Sequence, residues 1–177
     1  MKGEGDGQKV IVRVTPDSHN KHLERIQREI AYVSYLANEE KETVKYVCGP
    51  IKNKHGEFIV KEGDLIIVCT EHAKGNPLNF LETRWMIDRD LIFQWGKWMA
   101  NQHAASRRFS KLHPEIASKV QRWDELHECI MKDAPIFEED KAVINDPEHY
   151  GVVHGDLNTS NFFFIDEELL LSVFDWD

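Results

Sequence analysis

The sequence predicts an α+β fold, because most strand-like runs lie in residues 1–72 and most helix-like patterns lie after residue 78. Residues 1–72 combine one helical stripe with several short runs rich in β-branched residues. From residue 78 onward apolar residues recur mostly at helical spacing. Near the end, two apolar runs flank Asp166-Glu167-Glu168, a pattern typical of a β-hairpin. This separation of strands from helices is characteristic of α+β domains.

The first part of the chain is predicted to form a strand, a helix and three further strands. Lys9 to Val14 is a compact β-branched run that Thr15-Pro16-Asp17 ends with a turn. Asp17 or Ser18 is then placed to cap a helix. The apolar stripe of that helix recurs at intervals of three and four residues: Leu23, Ile26, Ile30, Val33 and Ala37. The three strand-like runs that follow are Thr43–Val47, Glu57–Lys61 and Asp64–Thr70.

Small and turn-forming residues at 73–77, Ala-Lys-Gly-Asn-Pro, predict a linker between residues 1–72 and residues 78–177. After it, a helix from about Asp88 to Phe109 is expected. Its buried face is predicted to carry Leu91, Trp95, Trp98, Met99 and Gln102. Pro114 opens a second predicted helix. That helix would bury Ile116, Val120, Trp123 and Ile130. Residues 133–149 predict a loop that contains a short helix.

Composition limits the classes of function. The net charge of −9 arises from 31 acidic and 22 basic residues without a clustered basic stripe, which argues against nucleic-acid binding and mildly favours a cationic small molecule. The three cysteines are odd in number and lack a Cys-x-x-Cys pair, so neither disulfides nor a zinc site is expected. No apolar signal segment or membrane-length run occurs, so a cytoplasmic protein without a membrane span is predicted.

The chemistry is concentrated around the predicted hairpin. Asp156 belongs to a His154-Gly-Asp motif, Asn161 follows five residues later, and Asp175 ends the second arm. Hairpin geometry should bring Asn161 and Asp175 together, and oxygen ligands of this kind suit Mg²⁺. Asp156 would then orient an attacking hydroxyl and accept its proton, as phosphoryl transfer requires. The alternative is that Asp156 and Asn161 only cap a loop through backbone hydrogen bonds.

The motif His154-Gly-Asp156 with Asn161, followed by Phe174-Asp175-Trp-Asp177, resembles the signature of the aminoglycoside phosphotransferase and choline kinase family. The resemblance implies a protein-kinase-like fold of two lobes. A small antiparallel sheet with one helix would be joined by a hinge to a mainly helical lobe that carries the catalytic hairpin. It also implies ATP or GTP, Mg²⁺ and a small-molecule hydroxyl acceptor.

The resemblance assigns roles outside the hairpin as well. Arg13, in Val-Ile-Val-Arg-Val, matches the strand residue that reaches the α- and β-phosphates, and Glu29 matches its helical partner. The hinge that holds adenine matches the backbone of Thr70, Glu71 and His72. His154 is expected to orient the catalytic loop by hydrogen bonding. Asp177 is expected to support the metal ligands without binding the metal itself.

Two functions are compatible with these residues. The first is an ATP-dependent phosphotransferase for a small-molecule hydroxyl, similar to aminoglycoside, choline or homoserine kinases. Family members have further strands before the position of Arg13 and a helical region after that of Asp177, and neither is found in this chain. The second function is therefore a truncated, catalytically silent kinase-like module that binds a nucleotide or a partner. The acceptor itself cannot be read from the sequence.

Overall fold

The fold is described from a computed structural model, which covers residues 9–17, 22–79, 81–122, 138–144, 146 and 148–176. The strands are β1 (Val10–Pro16), β2 (Pro50–Ile51), β3 (Ile59–Glu62), β4 (Leu65–Glu71), β5 (Asn76–Pro77), β6 (Phe162–Ile165) and β7 (Leu170–Val173). The helices are α1 (Leu23–Asn38), α2 (Arg84–Ile87), α3 (Arg89–Leu112), α4 (Pro114–Ala117) and α5 (Glu138–Ile144). None of the described helices is long and apolar enough to cross a membrane.

The first sheet is antiparallel and centred on β4. Its order is β1-β4-β2, and β3 also pairs with β4. Side chains alternate along a strand, so Ile66 and Val68 of β4 point to one face and are buried there. Ile26 and Ile30 of α1 pack on this face and form a small apolar cluster with them. The amphipathic stripe of α1 thus begins against the first sheet.

The second sheet has the order β5-β6-β7, and the predicted hairpin is confirmed in β6 and β7. Its register runs from Phe162 opposite Val173 to Ile165 opposite Leu170. A larger core joins this hairpin to α1 and α3. Its fully buried side chains include Leu36, Leu91, Phe109, Phe162, Phe164, Leu171 and Val173. Because α1 contributes to both apolar clusters, it connects the first sheet with the helices and the hairpin.

The predicted strand Thr43–Val47 is wrong. Residues 41–46 form turns, and Val47 makes only an isolated bridge to Val173. The backbone of this segment bonds to the hairpin instead: Val173 N donates to Tyr46 O at 2.9 Å, and Cys48 N donates to Val173 O at 2.9 Å. Tyr46 also has a φ of 55°, which a regular strand does not allow. A long-range contact has therefore replaced the local strand preference.

Smaller differences concern helix ends and one core residue. The N-cap of α1 is His22; Asp17 is not the cap, although its carboxylate accepts a hydrogen bond from His22 N at 2.8 Å. Ser18 lies outside the described residues. Met99 is 38% exposed and is not part of the core. Its neighbour Trp98 occupies the buried position on that turn.

The linker and the second predicted helix also differ from expectation. Asn76–Pro77 of the linker forms β5 and pairs with β6, so part of the segment belongs to the second sheet. The helix that begins at Pro114 has one turn in α4, while Trp123 and Ile130 lie outside the described residues. The short helix expected within residues 133–149 is confirmed by α5.

A buried carboxylate joins the C-terminal end of α1 to α3. Glu40 accepts two hydrogen bonds of 2.6 Å from the Arg108 guanidinium, one of 2.7 Å from Tyr35 Oη and one of 3.1 Å from Thr43 Oγ1. The hydrogen bonds from Arg108 are the main cause that lowers the pKa of Glu40 from its ordinary value of 4.5 to about 2. The ionised form is therefore favoured in the folded chain.

We expect this network to make stability depend on pH in the acid range. Because the folded pKa of Glu40 lies below the unfolded one, its contribution is complete above about pH 5 and is lost as the pH falls toward 2. Urea unfolding from pH 7 to pH 2 should show a smaller acid-induced decline for Glu40→Gln than for the wild type. Glu39→Gln, at the exposed neighbouring position, should leave the decline unchanged. An identical decline in Glu40→Gln would contradict this role.

Candidate active site

The loop before β6 brings Asp156 and Asn161 into direct contact. Asn161 is buried, and its Nδ2 donates to the Asp156 carbonyl at 2.8 Å and to Asp156 Oδ2 at 3.1 Å. Asn158 Nδ2 donates to Asp156 Oδ1 at 2.8 Å. These hydrogen bonds fix the loop. Asn161 therefore makes a backbone contact of the kind that the loop-capping alternative predicts. Asp156 itself remains exposed, however, and its carboxylate accepts from side chains.

His154 links this loop to the end of the hairpin. Its Nε2 lies 2.9 Å from the Phe174 carbonyl oxygen, and since a carbonyl only accepts, Nε2 carries the proton. Burial lowers the pKa of His154. The ring also packs against Trp176 with a centroid distance of 4.5 Å. A neutral imidazole thus holds the backbone immediately before Asp175, a geometry consistent with the predicted orienting role.

The two arms of the hairpin end side by side. Phe174 N donates to the Asn161 carbonyl at 3.1 Å, so the backbone that carries Asp175 is bonded to the residue that begins the other arm. Asp175 is exposed and has a φ of 62°, a left-handed conformation that Asp adopts more readily than most residues. The structure therefore places the backbones of Asn161 and Asp175 side by side, as hairpin geometry predicted, and Asp156 contacts Asn161.

A cavity of about 290 Å³ lies between β1, α1, the end of β4 and the end of the hairpin. Its wall contains six of the sequence-predicted site residues: Arg13, Glu29, Thr70, Glu71, His72 and Asp175. Asp156 and Asn161 are not part of the wall. They adjoin it through Phe174, which lines the cavity and bonds to Asn161. Asp177 lies outside the described residues.

Arg13 and Glu29 form an ion pair within this wall. Arg13 Nη2 lies 2.7 Å from Glu29 Oε1 and 2.9 Å from Oε2. Both side chains are mostly covered, with exposures of 26% for Arg13 and 11% for Glu29. The pair holds a guanidinium at the cavity, where a planar fork of N–H donors suits phosphate oxygens.

The segment at the end of β4 forms another part of the wall. Glu71 N donates to Gly49 O at 2.9 Å, and Gly49 N donates to Glu71 Oε2 at 3.3 Å. His72 Nδ1 donates to the Ala73 carbonyl at 2.7 Å. The side chains of Glu71 and His72 and the backbone amide of Glu71 are thus engaged with the chain itself. The contact of this backbone with a base stays a prediction.

The sequence of the chain matches no family model and no curated protein. Its structure does have relatives. The amicoumacin kinase hAmiN, in complex with AMP-PNP, Ca²⁺ and Ami, superposes with a TM-score of 0.72 at 20% identity. Spectinomycin phosphotransferase APH(9)-Ia, with ADP and spectinomycin, gives 0.58 at 14%, and an aminoglycoside phosphotransferase from Alicyclobacillus acidocaldarius gives 0.54 at 14%.

The chain has part of the kinase-like phosphotransferase fold. These superpositions cover 96% to 98% of the chain but only 53% to 58% of the three structures. The fold that the sequence motif predicted is therefore confirmed, over about half the length of the proteins that share it.

In this phosphotransferase fold, the hairpin ends supply a donor set that fits Mg²⁺. Among the described residues, no group of three or more His, Cys, Asp or Glu side chains could hold a metal ion. Mg²⁺ does not need such a cage, because proteins commonly bind it through one or two carboxylates together with substrate phosphates and water. The Asp175 carboxylate and the Asn161 carboxamide match that requirement.

Sequence reasoning missed the apolar part of the cavity wall. Cys48, Phe163, Phe174 and Trp176 all line it. Phe163 could have been found, because alternation along β6 places it opposite the buried Phe162 and Phe164. Cys48 carried no such signal, since its position depends on the backbone bonds between its segment and β7.

Proposed function

We propose that the chain is the nucleotide-binding and catalytic part of an ATP-dependent phosphotransferase that acts on a hydroxyl group of a small molecule. Residues 1–72 and 78–177 would form its two lobes, and residues 73–77 its hinge. One observation carries the proposal: a single cavity wall contains the Arg13–Glu29 ion pair, the end of β4 and Asp175, and it adjoins Asp156 and Asn161.

Each group has a role that its chemistry supports. Asn161 and Asp175 would hold Mg²⁺, which when bound neutralises charge on the polyphosphate. Arg13, oriented by Glu29, would bind the non-transferred phosphates. Backbone groups of residues 70–72 would contact the base of ATP, or of GTP. Asp156 would orient the acceptor hydroxyl and accept its proton.

The acceptor is proposed to be a small, cationic alcohol. Structures that share the fold are named as kinases or phosphotransferases of amicoumacin and spectinomycin, which supports a small-molecule acceptor. The net charge of −9 favours a cation. Aminoglycosides, choline and homoserine are the acceptor classes to test first.

The alternative function is a kinase-like module that binds nucleotide without turnover. The chain spans little more than half the length of the structures that share its fold. A nucleotide-binding module without turnover would keep the cavity wall but would not phosphorylate any acceptor.

Nucleotide binding and turnover separate these functions. Under the first proposal, ATP with Mg²⁺ at about 100 times its dissociation constant should add about 2.7 kcal/mol to the free energy of unfolding. Labelled γ-phosphate should also pass to an alcohol of the panel. Stabilisation without transfer to any acceptor would support the module. The absence of stabilisation by ATP and Mg²⁺ would overturn both.

Asp175→Asn is expected to remove most of the Mg²⁺-dependent part of ATP binding, because it deletes the anionic metal ligand. Titrations of ATP with and without Mg²⁺ measure that part as a ratio of dissociation constants. Glu167→Gln is the matched control, since it removes one negative charge from the exposed turn of the same hairpin. An unchanged Mg²⁺ dependence in Asp175→Asn would show that Asp175 does not bind the metal.

A further inference from the structure

Ser172 occupies a buried position on β7, three residues before Asp175. It is only 2% exposed. Its hydroxyl oxygen accepts a hydrogen bond from Lys74 N at 3.0 Å and lies 3.7 Å from Cys48 Sγ. A side-chain hydroxyl within a strand is thus bonded to residues that are 98 and 124 positions away in sequence.

Of the two residues bonded to Ser172, one lines the cavity and the other is the next residue after a lining segment. Cys48 lines the cavity, and Lys74 directly follows the wall segment 70–73. β7 itself leads into residues 174–176, which also line the cavity. One hydroxyl therefore links Cys48 to Lys74, which closely follows the segment proposed to contact the base. It does so from β7, the strand that precedes Asp175.

The segment after Lys74 has little freedom to shift. Gly75 has a φ of 85°, and an added Cβ would collide with the Phe164 carbonyl oxygen. Asn76 pairs with Phe164 in the second sheet. Residues 70 and 71 are held in the first sheet by β1 and β2, and residues 75 and 76 are held against β6. Between these two anchored points, the Ser172 hydrogen bond holds the backbone at Lys74.

We propose that Ser172 is a positioning residue that sets the backbone of residues 72–74, at the end of the proposed base contact, relative to the hairpin end at Asp175. The proposal rests on the function proposed above and adds a specificity role: Ser172 controls affinity for the base of the nucleotide and not for its phosphates. Without the hydroxyl, Lys74 N loses its acceptor and the segment before it moves away from β7.

Ser172→Ala in the full chain tests this role, because it removes one oxygen atom and leaves the volume nearly unchanged. In the presence of Mg²⁺, we expect the dissociation constant for ATP to rise about 5- to 10-fold, the effect of losing one hydrogen bond between the shifted backbone and the base. The dissociation constant for inorganic tripolyphosphate, which has no base, should stay within about 2-fold. Ser106→Ala, which alters another buried serine on α3, should change neither constant.

Hydrogen exchange gives a second measurement that needs no ligand. The Lys74 amide should exchange faster in Ser172→Ala than in the wild type, and thermal unfolding should show that the variant is folded. Equal changes for ATP and tripolyphosphate, or no change for either while the wild type binds both, would overturn the role of Ser172 alone. A wild type that binds neither ligand would overturn the proposed function and this role together.

Discussion

Asp156→Asn is expected to lower phosphoryl transfer about 10³-fold, the loss typical of a removed catalytic acid or base. The carboxamide keeps the size of the carboxylate but cannot accept the acceptor's proton. Both carboxylate oxygens of Asp156 accept a hydrogen bond, one from Asn158 and one from Asn161, so the carboxamide keeps one of these bonds and loses the other. The hydrogen bond from Asn161 Nδ2 to the Asp156 backbone carbonyl stays and holds the loop. Affinity for ATP should stay within about 2-fold, because Asp156 is not part of the cavity wall.

Transfer of labelled phosphate to the best acceptor and calorimetric titration of ATP measure the two quantities separately. Asp146→Asn is a suitable control, since Asp146 is also a loop carboxylate that bonds to nearby side chain and backbone groups. It should leave turnover unchanged. Turnover near the wild-type rate in Asp156→Asn would remove Asp156 from the mechanism and would favour its interpretation as a loop residue.

Phe162→Ala is expected to lower the free energy of unfolding by about 3 to 5 kcal/mol, as large-to-small changes at buried aromatic residues do. Phe162 is fully buried and packs against Trp95 of α3 with a centroid distance of 5.0 Å. It directly follows Asn161 and pairs with Val173. The cavity left by the change would therefore loosen both strands at the open end of the hairpin, next to Asn161 and Phe174.

Urea denaturation at neutral pH measures this loss. Phe93→Ala provides the comparison within α3, because Phe93 is 66% exposed and its truncation should change the free energy of unfolding by no more than about 0.5 kcal/mol. If Phe162→Ala lowered the free energy of unfolding no more than Phe93→Ala does, the core would not anchor the hairpin through Phe162. Weaker ATP binding in Phe162→Ala, but not in Phe93→Ala, would show that packing of the core also supports the nucleotide site.

Local patterns were sufficient for the longer elements. The three-and-four spacing of apolar residues predicted α1 and most of α3, and two apolar runs around an acidic turn predicted β6 and β7. Hairpin pairing is a short-range contact, so it also predicted that Asn161 and Asp175 would lie close together. The predicted partnership of Arg13 with Glu29 came from the family resemblance, and the structure brings the two side chains within 2.7 Å.

Other features depended on contacts between distant parts of the chain. Thr43–Val47 has residues suited to a strand, yet its end bonds to Val173 in a short parallel bridge. Asn76–Pro77 has the composition of a linker, yet it pairs with β6. In both segments the conformation depends on a residue more than 80 positions away in sequence. A pattern of neighbouring residues cannot predict such a partner.

The sequence by itself determined the hairpin, the amphipathic helices and the residue types needed for phosphoryl transfer, because periodicity and motif spacing are local properties. Only the tertiary structure decided which residues enclose the cavity. Cys48 lines the wall because its segment bonds to β7, and Ser172 reaches Lys74 next to the wall through a hydrogen bond. Such convergence arises when buried polar groups from separate segments satisfy one another, and it becomes visible only once the chain is folded.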